Sequence, residues 1–110
     1  MESNVLNNRG QAIKIIKRLV NELLPGSRIL LFGSRASGND ALDSDYDLLI
    51  ITEEALPEKT RRHYQSTLRK QLAEYKIPSD ILIYSHSEVQ DKKKIFGHIV
   101  RDIINEGITL

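Results

Sequence analysis

The sequence predicts a small α/β domain of the α+β class, in which helices alternate with short strands around one sheet. Segments with helical periodicity alternate with brief apolar runs in the order α, β, turn, β, α, β, α. The chain has 110 residues, enough for one hydrophobic core, so we expect residues 1–110 to form a single domain. Hydrophobic residues make up 40% and charged residues 28%, which is typical of a globular protein.

The first half of the chain predicts a helix, a strand and a long turn. Apolar residues recur at steps of three and four over residues 8–24, until Pro25 and Gly26 end the pattern. Residues 29–32 form a short apolar run between turn signals, which indicates a buried strand. Residues 33–44 are rich in Gly, Ser, Asn and Asp, so they predict a turn with room for one helical turn after Ser34.

The second half predicts two more strands and two more helices. Residues 45–51 read as a strand whose first half is acidic and whose second half is apolar. Pro57 suits the start of a helix that ends before Pro78, and residues 79–84 form the third strand. The residues alone leave open whether the sheet is parallel or mixed.

The C-terminal part begins with a helix-start signal. Residues 85–88 have the spacing of a capping box, in which a Ser and a Glu cap the first turn of a helix reciprocally. A further helical pattern covers residues 95–104 and stops at Gly107, and Gly97 is a candidate break within it.

Composition excludes several classes of protein. There is no cysteine, which excludes disulfides and thiolate metal sites, and a cytoplasmic location fits. No apolar run is long enough to span a bilayer or form a signal peptide, so we expect no membrane partner. The net charge of +1 argues against non-specific binding of nucleic acid but allows a nucleic-acid end as an acceptor substrate.

Three aspartates stand at the starts of two predicted strands. Asp45 and Asp47 lie two residues apart and therefore point to the same side of a strand, and Asp80 begins the next one. If the two strands are neighbours, the three carboxylates meet, and their repulsion favours a bound cation. Carboxylates without His or Cys suit Mg²⁺ or Mn²⁺, and a two-metal site is suited to in-line attack at phosphorus.

A Gly-Ser turn directly after the first strand supplies a candidate phosphate site. Gly33 lets the backbone approach a ligand closely, and free N–H groups at a turn or helix start bind phosphate oxygens. The Ser34 hydroxyl can add a hydrogen bond to a β- or γ-phosphate. Arg35 can neutralise phosphate charge, although a solvent-facing position suits it equally well.

These motifs resemble those of a known family. The segments GSRASG at residues 33–38 and DSDYDL at residues 43–48 are similar to the signature of the DNA polymerase β-like nucleotidyltransferases. The Arg after Gly-Ser and the Ser before Asp-x-Asp are close to the minimal nucleotidyltransferase branch, whose members are often antitoxin partners of HEPN proteins. The resemblance implies a nucleotidyltransferase-like fold, a small mixed sheet with helices packed on one face.

The resemblance also implies roles for single residues. Gly33 and Ser34 bind the triphosphate. The site holds two metal ions, Mg²⁺ or alternatively Mn²⁺, and Asp45 and Asp47 are ligands of both. Asp80 is the third metal ligand and assists proton removal from the acceptor hydroxyl. The implied reaction moves a nucleoside monophosphate, AMP if ATP is the donor, to a hydroxyl and releases pyrophosphate.

Two functions follow as expectations. The first is an Mg²⁺-dependent nucleotidyltransferase whose acceptor is a protein side chain, an RNA end or a small molecule, with the resemblance favouring a partner protein. The second is an antitoxin-type protein that neutralises a HEPN-like toxin mainly by binding it; a homo-oligomer is the alternative assembly. Residues 92–94, all lysine, fit a solvated helix face better than a nucleic-acid contact.

Overall fold

The structure, a computed structural model, describes residues 9–37 and 45–110. Residue 8 of the predicted first helix lies outside the described ranges, and so do residues 38–44, which belong to the predicted turn and to the two motifs. The described helices and strands follow one another in this order: α1 (Arg9–Leu23), β1 (Arg28–Phe32), α2 (Ser34–Ser37), β2 (Tyr46–Thr52), α3 (Glu58–Glu74), β3 (Ser79–Ser85), α4 (His86–Lys92), α5 (Ile99–Glu106) and β4 (Ile108–Thr109).

The four strands form one mixed sheet with the order β3-β2-β1-β4. β1 pairs with β2 and with β4 in antiparallel fashion, whereas β2 and β3 are parallel. Parallel neighbours need a crossover, and α3 supplies it. The mixed sheet predicted for this fold is therefore confirmed, and the central strand β2 brings its acidic start between the end of β1 and the start of β3.

The two long helices cover one face of the sheet. α1 and α3 contribute Ile16, Val20, Leu68 and Leu72, all of them buried, to a core that also holds alternate residues of the strands. Burying one such side chain contributes about 1.5–3 kcal/mol, so this layer supplies most of the hydrophobic stabilisation. The strand residues that face this layer are Ile29, Leu31, Tyr46, Leu48, Ile50, Ile81 and Ile83.

The two short helices cover the opposite face, which the prediction of helices on one face did not include. Val89 of α4 and Val100 and Ile103 of α5 pack against Leu49 and Ile51 of β2. Because the strands are apolar on both sides, each face must be covered to remove it from water. The sequence pattern reveals that both faces are apolar but does not assign a helix to either of them.

The predicted helix signals near the C-terminus are confirmed in detail. Ser85 accepts a hydrogen bond from the Glu88 N–H, and the Ser85 N–H donates to Glu88 Oε1 at 2.7 Å, which completes the capping box. Gly97 has φ +85 and separates α4 from α5, so the last helical pattern is divided there. The His98 side chain then caps α5 by accepting from the Val100 N–H.

The outer edge of β3 carries a side chain from α3. Gln65 donates a hydrogen bond from Nε2 to the backbone carbonyl of Ile81 at 2.9 Å.

The opposite edge of the sheet is the two-residue strand β4, which the sequence analysis did not predict. Ile108 and Thr109 pair with Leu31 and Leu30 of β1. A strand of two residues is too short to give a readable sequence pattern.

Candidate active site

The parallel register of β2 and β3 places two of the predicted acids side by side. Asp47 is the direct partner of Asp80, and both belong to the face of the sheet that α4 and α5 cover further along. Asp45 directly precedes β2 and is exposed. The second and third strands are thus neighbours in the sheet, which is the condition that the sequence analysis set for the acids to meet. Their aspartates make one end of the sheet acidic.

The turn after β1 contacts this acidic end directly. Phe32, the last residue of β1, is the register partner of Asp47, so the next residue, Gly33, lies against the Asp47 carboxylate. A methyl group on Gly33 would overlap Asp47 Oδ2 and lie 3.1 Å from Asp47 Cγ. Gly33 also has φ +76, a conformation that side chains disfavour. Both observations explain why glycine occupies this position.

A single turn of helix, α2, follows Gly33 and begins at Ser34. The Ala36 N–H donates to the Gly33 carbonyl at 3.1 Å, which closes the turn. Arg35 does not face solvent: it is buried, and its guanidinium carbon lies 4.3 Å from the centre of the Tyr46 ring. This cation–π contact joins α2 to the first residue of β2, beside Asp47. Sequence reasoning missed Tyr46, because stacking leaves no spacing signal.

The three acids interact electrostatically. The pKa of Asp47 is raised, first because the carboxyl is partly buried and then because of the negative charges of Asp80 and Asp45. Within residues 9–37 and 45–110, no three His, Cys, Asp or Glu side chains converge closely enough to form a ready cluster of metal ligands. The structure therefore places Asp47 beside Asp80 but does not gather Asp45, Asp47 and Asp80 into one ligand cluster, and a bound cation would offset the repulsion between their charges.

The residues present fit a hard divalent cation. Asp45, Asp47 and Asp80 offer carboxylate oxygens, the ligand type that Mg²⁺ and Mn²⁺ prefer. Glycine at position 33 leaves the space beside Asp47 Oδ2 free of a side chain, so a phosphate bound at the turn would lie next to that carboxylate. The arrangement can therefore hold a metal-bound phosphate between the turn and the acids.

A cavity of 280 Å³ extends from the turn towards α5. Phe32, Gly33 and Ala36 line one side of it, and Ile99 and Ile103 line the other. Sequence reasoning did not connect α5 with the site, because the two segments are far apart along the chain. Only the packing of α5 on the second face of the sheet brings them together.

Comparison with known proteins shows the class of protein. The family model of the nucleotidyltransferase domain matches residues 13–109. The chain belongs to this family, as the resemblance to the polymerase β-like and minimal nucleotidyltransferases predicted. Among the described helices, none is both long and apolar enough to cross a membrane.

The chain is also similar to particular members of the class. Spectinomycin 9-adenylyltransferase of Staphylococcus aureus, in strains Mu50/ATCC 700699 and N315, is 32% identical over 62 residues, 56% of this chain. The match spans only 23% of that enzyme's length. A crystal structure of a toxin–antitoxin with AMP-PNP shares the fold, with a TM-score of 0.58 and 21% identity. That similarity covers 89% of this chain and 70% of the other.

Replacing Gly33 tests the contact between the turn and the acids. We expect Gly33→Ala to lower the free energy of unfolding by more than the roughly 1–2 kcal/mol that positive φ alone costs. Gly26→Ala is the matched control, because Gly26 has φ +84 but a Cβ added there would meet nothing within 4 Å. Urea titration of both variants measures the difference. An equal loss of stability in Gly33→Ala and Gly26→Ala would contradict the contact. When Asp47 is also replaced by alanine, the additional loss caused by Gly33→Ala should become smaller.

The raised pKa of Asp47 gives a pH dependence. A carboxyl whose pKa is higher in the folded chain favours folding when protonated and opposes it when charged. Without divalent metal, we expect Asp47→Asn to raise the melting temperature at pH 7. The gain should shrink as pH falls through the raised pKa and vanish below about pH 4, where the unfolded carboxyl is also protonated. Calorimetry at several pH values, with Asp91→Asn as control, measures this; a pH-independent change would contradict it.

Proposed function

We propose that this chain transfers a nucleoside monophosphate, AMP from ATP, to a hydroxyl group and releases pyrophosphate. The observation that carries the proposal is the contact of the Gly33 turn with Asp47, whose register partner is Asp80. Membership of the nucleotidyltransferase family supports it. The adenylyltransferase relatives and the AMP-PNP in the structural neighbour support ATP as the donor. We further propose that residues 1–110 act as one domain in the cytoplasm.

Each predicted residue has a role in this proposal. The backbone N–H groups after Gly33, together with Ser34, bind oxygens of the triphosphate. Asp45, Asp47 and Asp80 hold two Mg²⁺ ions, with Mn²⁺ as an alternative, and these ions would supply charge neutralisation at the phosphates and activation of the hydroxyl. Arg35 adds positive charge near the turn and, through Tyr46, positions α2 against β2.

The transfer is a single displacement at phosphorus. The acceptor oxygen forms a bond to the α-phosphorus while the bond from that phosphorus to the bridging oxygen of the β-phosphate breaks. Pyrophosphate leaves with the electron pair of the broken bond, and Asp80 assists removal of the hydroxyl proton. Asp47 lies between the turn and Asp80, so the donor phosphate and the acceptor hydroxyl meet at its carboxylate.

A second candidate function is binding of a protein partner, and one surface favours it. Three exposed apolar residues, called here the apolar patch, lie in the turn before α5 and at its first residue: Ile95, Phe96 and Ile99, of which Phe96 is 89% exposed. The Arg101 guanidinium carbon lies 5.3 Å from the Phe96 ring, so the patch has a basic neighbour. Exposed apolar patches mark interfaces. In this alternative function, the partner is a HEPN-like toxin or a second copy of this chain.

Transfer of label tests the enzymatic proposal. We expect the protein with α-labelled ATP and Mg²⁺ to label an acceptor, and Asp47→Asn to reduce the rate by at least about a hundredfold. Asp91→Asn, an exposed acid on α4, should retain the parent rate. Mg²⁺ with ATP should also raise the melting temperature of the parent but not of Asp47→Asn. The site would be refuted if Asp47→Asn retained both the transfer of label and the rise in melting temperature with Mg²⁺ and ATP.

Toxin neutralisation separates the two functions. If binding is the main role, Asp47→Asn should neutralise a co-expressed HEPN-like partner fully, whereas Phe96→Ser should lose the complex and the neutralisation together. If transfer is the main role, Asp47→Asn should form the complex but fail to neutralise. Co-purification and growth of the expressing cells measure both properties. A complex that survives Phe96→Ser unchanged would exclude the apolar patch as the interface.

A further inference from the structure

The exposed apolar side chains of the described residues are concentrated in the apolar patch. Ile95 is 53% exposed, Phe96 89% and Ile99 50%. The other large apolar residues that are exposed in the described ranges are Tyr75, directly after α3, and Ile108 in β4. Three exposed apolar side chains within five consecutive positions leave a contiguous surface in water, and such surfaces mark sites of association.

A cavity adjoins the apolar patch. Ile99 belongs to both, because it also lines the cavity of 280 Å³ beside Gly33. Asp102 and Glu106 of α5 line this cavity too, and none of its described lining residues is a cation. An apolar hollow that is bordered by carboxylates is complementary to an apolar side chain with a cation beside it.

A side chain of that kind is present in the apolar patch itself. The Arg101 guanidinium carbon lies 5.3 Å from the centre of the Phe96 ring, and Lys94 directly precedes Ile95. Arg101 and Glu106 are five residues apart, so they are not neighbours on the surface of α5 and cannot pair within one helix. The chain therefore carries an aromatic group with a cation and a hollow with carboxylates on the same short helix.

These charges have no counter-charge within the chain. Arg101, Asp102 and Glu106 form no ion pair with any residue in the ranges 9–37 and 45–110. Glu106 is also the last residue of α5, where the helix dipole disfavours a carboxylate. An external cation beside Glu106 would offset this, and an external carboxylate would neutralise Arg101.

A surface with these features is complementary to itself under a two-fold rotation. Two α5 helices that pack antiparallel place the first half of each helix against the end of the other. Arg101 of each copy then faces Glu106 of the other, and Phe96 of each copy faces the cavity of the other. Two-fold contacts of this type are the commonest interfaces between identical chains, because every favourable contact is made twice.

We propose that the chain forms a two-fold symmetric dimer through α5. Phe96 of each copy enters the cavity beside Gly33 of the other, and Arg101 pairs with Glu106 across the interface. The second copy thereby closes the cavity next to the turn. The proposal goes beyond nucleotide transfer, since the dimer needs neither nucleotide nor metal, and it assigns the apolar patch to one of the two partners named above.

Sedimentation velocity over a range of protein concentrations tests the dimer. We expect Phe96→Ser, Arg101→Glu and Glu106→Lys each to weaken dimerisation by about tenfold or more, because each change acts twice across the two-fold axis. Lys14→Glu is the matched control: it reverses an exposed charge on α1, on the opposite face of the sheet, and should change the dissociation constant by less than about twofold. Circular dichroism checks that each variant is folded.

Mixing two variants tests the antiparallel pairing. Arg101→Glu alone places like charges opposite each other at both ends of the interface, and so does Glu106→Lys alone. A mixed dimer of these two variants has opposite charges at both ends. We therefore expect an equimolar mixture to recover dimerisation that neither variant shows by itself, and the double variant Arg101→Glu/Glu106→Lys to recover it as well.

Four results would overturn the proposal: a parent that stays monomeric at every concentration, a dimer that Phe96→Ser leaves unchanged, an equal loss in Lys14→Glu, or a mixture that remains monomeric. A monomeric parent that binds a different protein through Phe96 would overturn it and assign the apolar patch to that partner. Failure of the proposed transfer is a separate result, because α-labelled ATP then yields no labelled acceptor while the dimer responds to the variants as expected.

Discussion

The contact between Gly33 and the Asp47 carboxylate is the constraint on which the rest of the site depends. The antiparallel register pairs the last residue of β1 with Asp47, so the chain must turn directly beside a charged group. Only a residue without a side chain fits there, and its positive φ sends the backbone into α2. The stacking of Arg35 on Tyr46 then holds that short helix in place. Backbone N–H groups and carboxylates are thereby fixed side by side.

Assembling like charges opposes folding, and the hydrophobic layers offset this cost. β2 carries Asp47 at its start, but Leu48, Leu49 and Ile50 directly after it are fully buried, on alternating faces of the sheet. Burial of three such residues contributes several kcal/mol, roughly 5–9 by area-based accounting. The strand can thus tolerate a carboxyl with a raised pKa near its start, because the residues that follow are fixed between two layers of helices. Sites of this kind often reduce stability in favour of function.

Much of this arrangement was predictable, and what was not has identifiable reasons. Three parts of the arrangement are local patterns that give a sequence signal. They are the placement of Asp45 and Asp47 on the same side of a strand, the turn at Gly33 and the capping box at Ser85. The pairing of Asp47 with Asp80 depends on the crossover through α3. The sequence therefore predicted this pairing only on the condition that the two strands are neighbours. Covering of the second face by α4 and α5 depends on tertiary packing, which no periodicity encodes.

The hydrogen bond from Gln65 to the Ile81 carbonyl has a consequence for the behaviour of the protein at high concentration. β3 forms an outer edge of the sheet, and exposed edges are templates on which strands of other molecules add and form aggregates. The amide of Gln65 occupies one acceptor near the middle of that edge, so an incoming strand could not form an uninterrupted ladder without displacing it. A side chain from the crossover helix thus protects the sheet against uncontrolled polymerisation while leaving the opposite edge to the short strand β4.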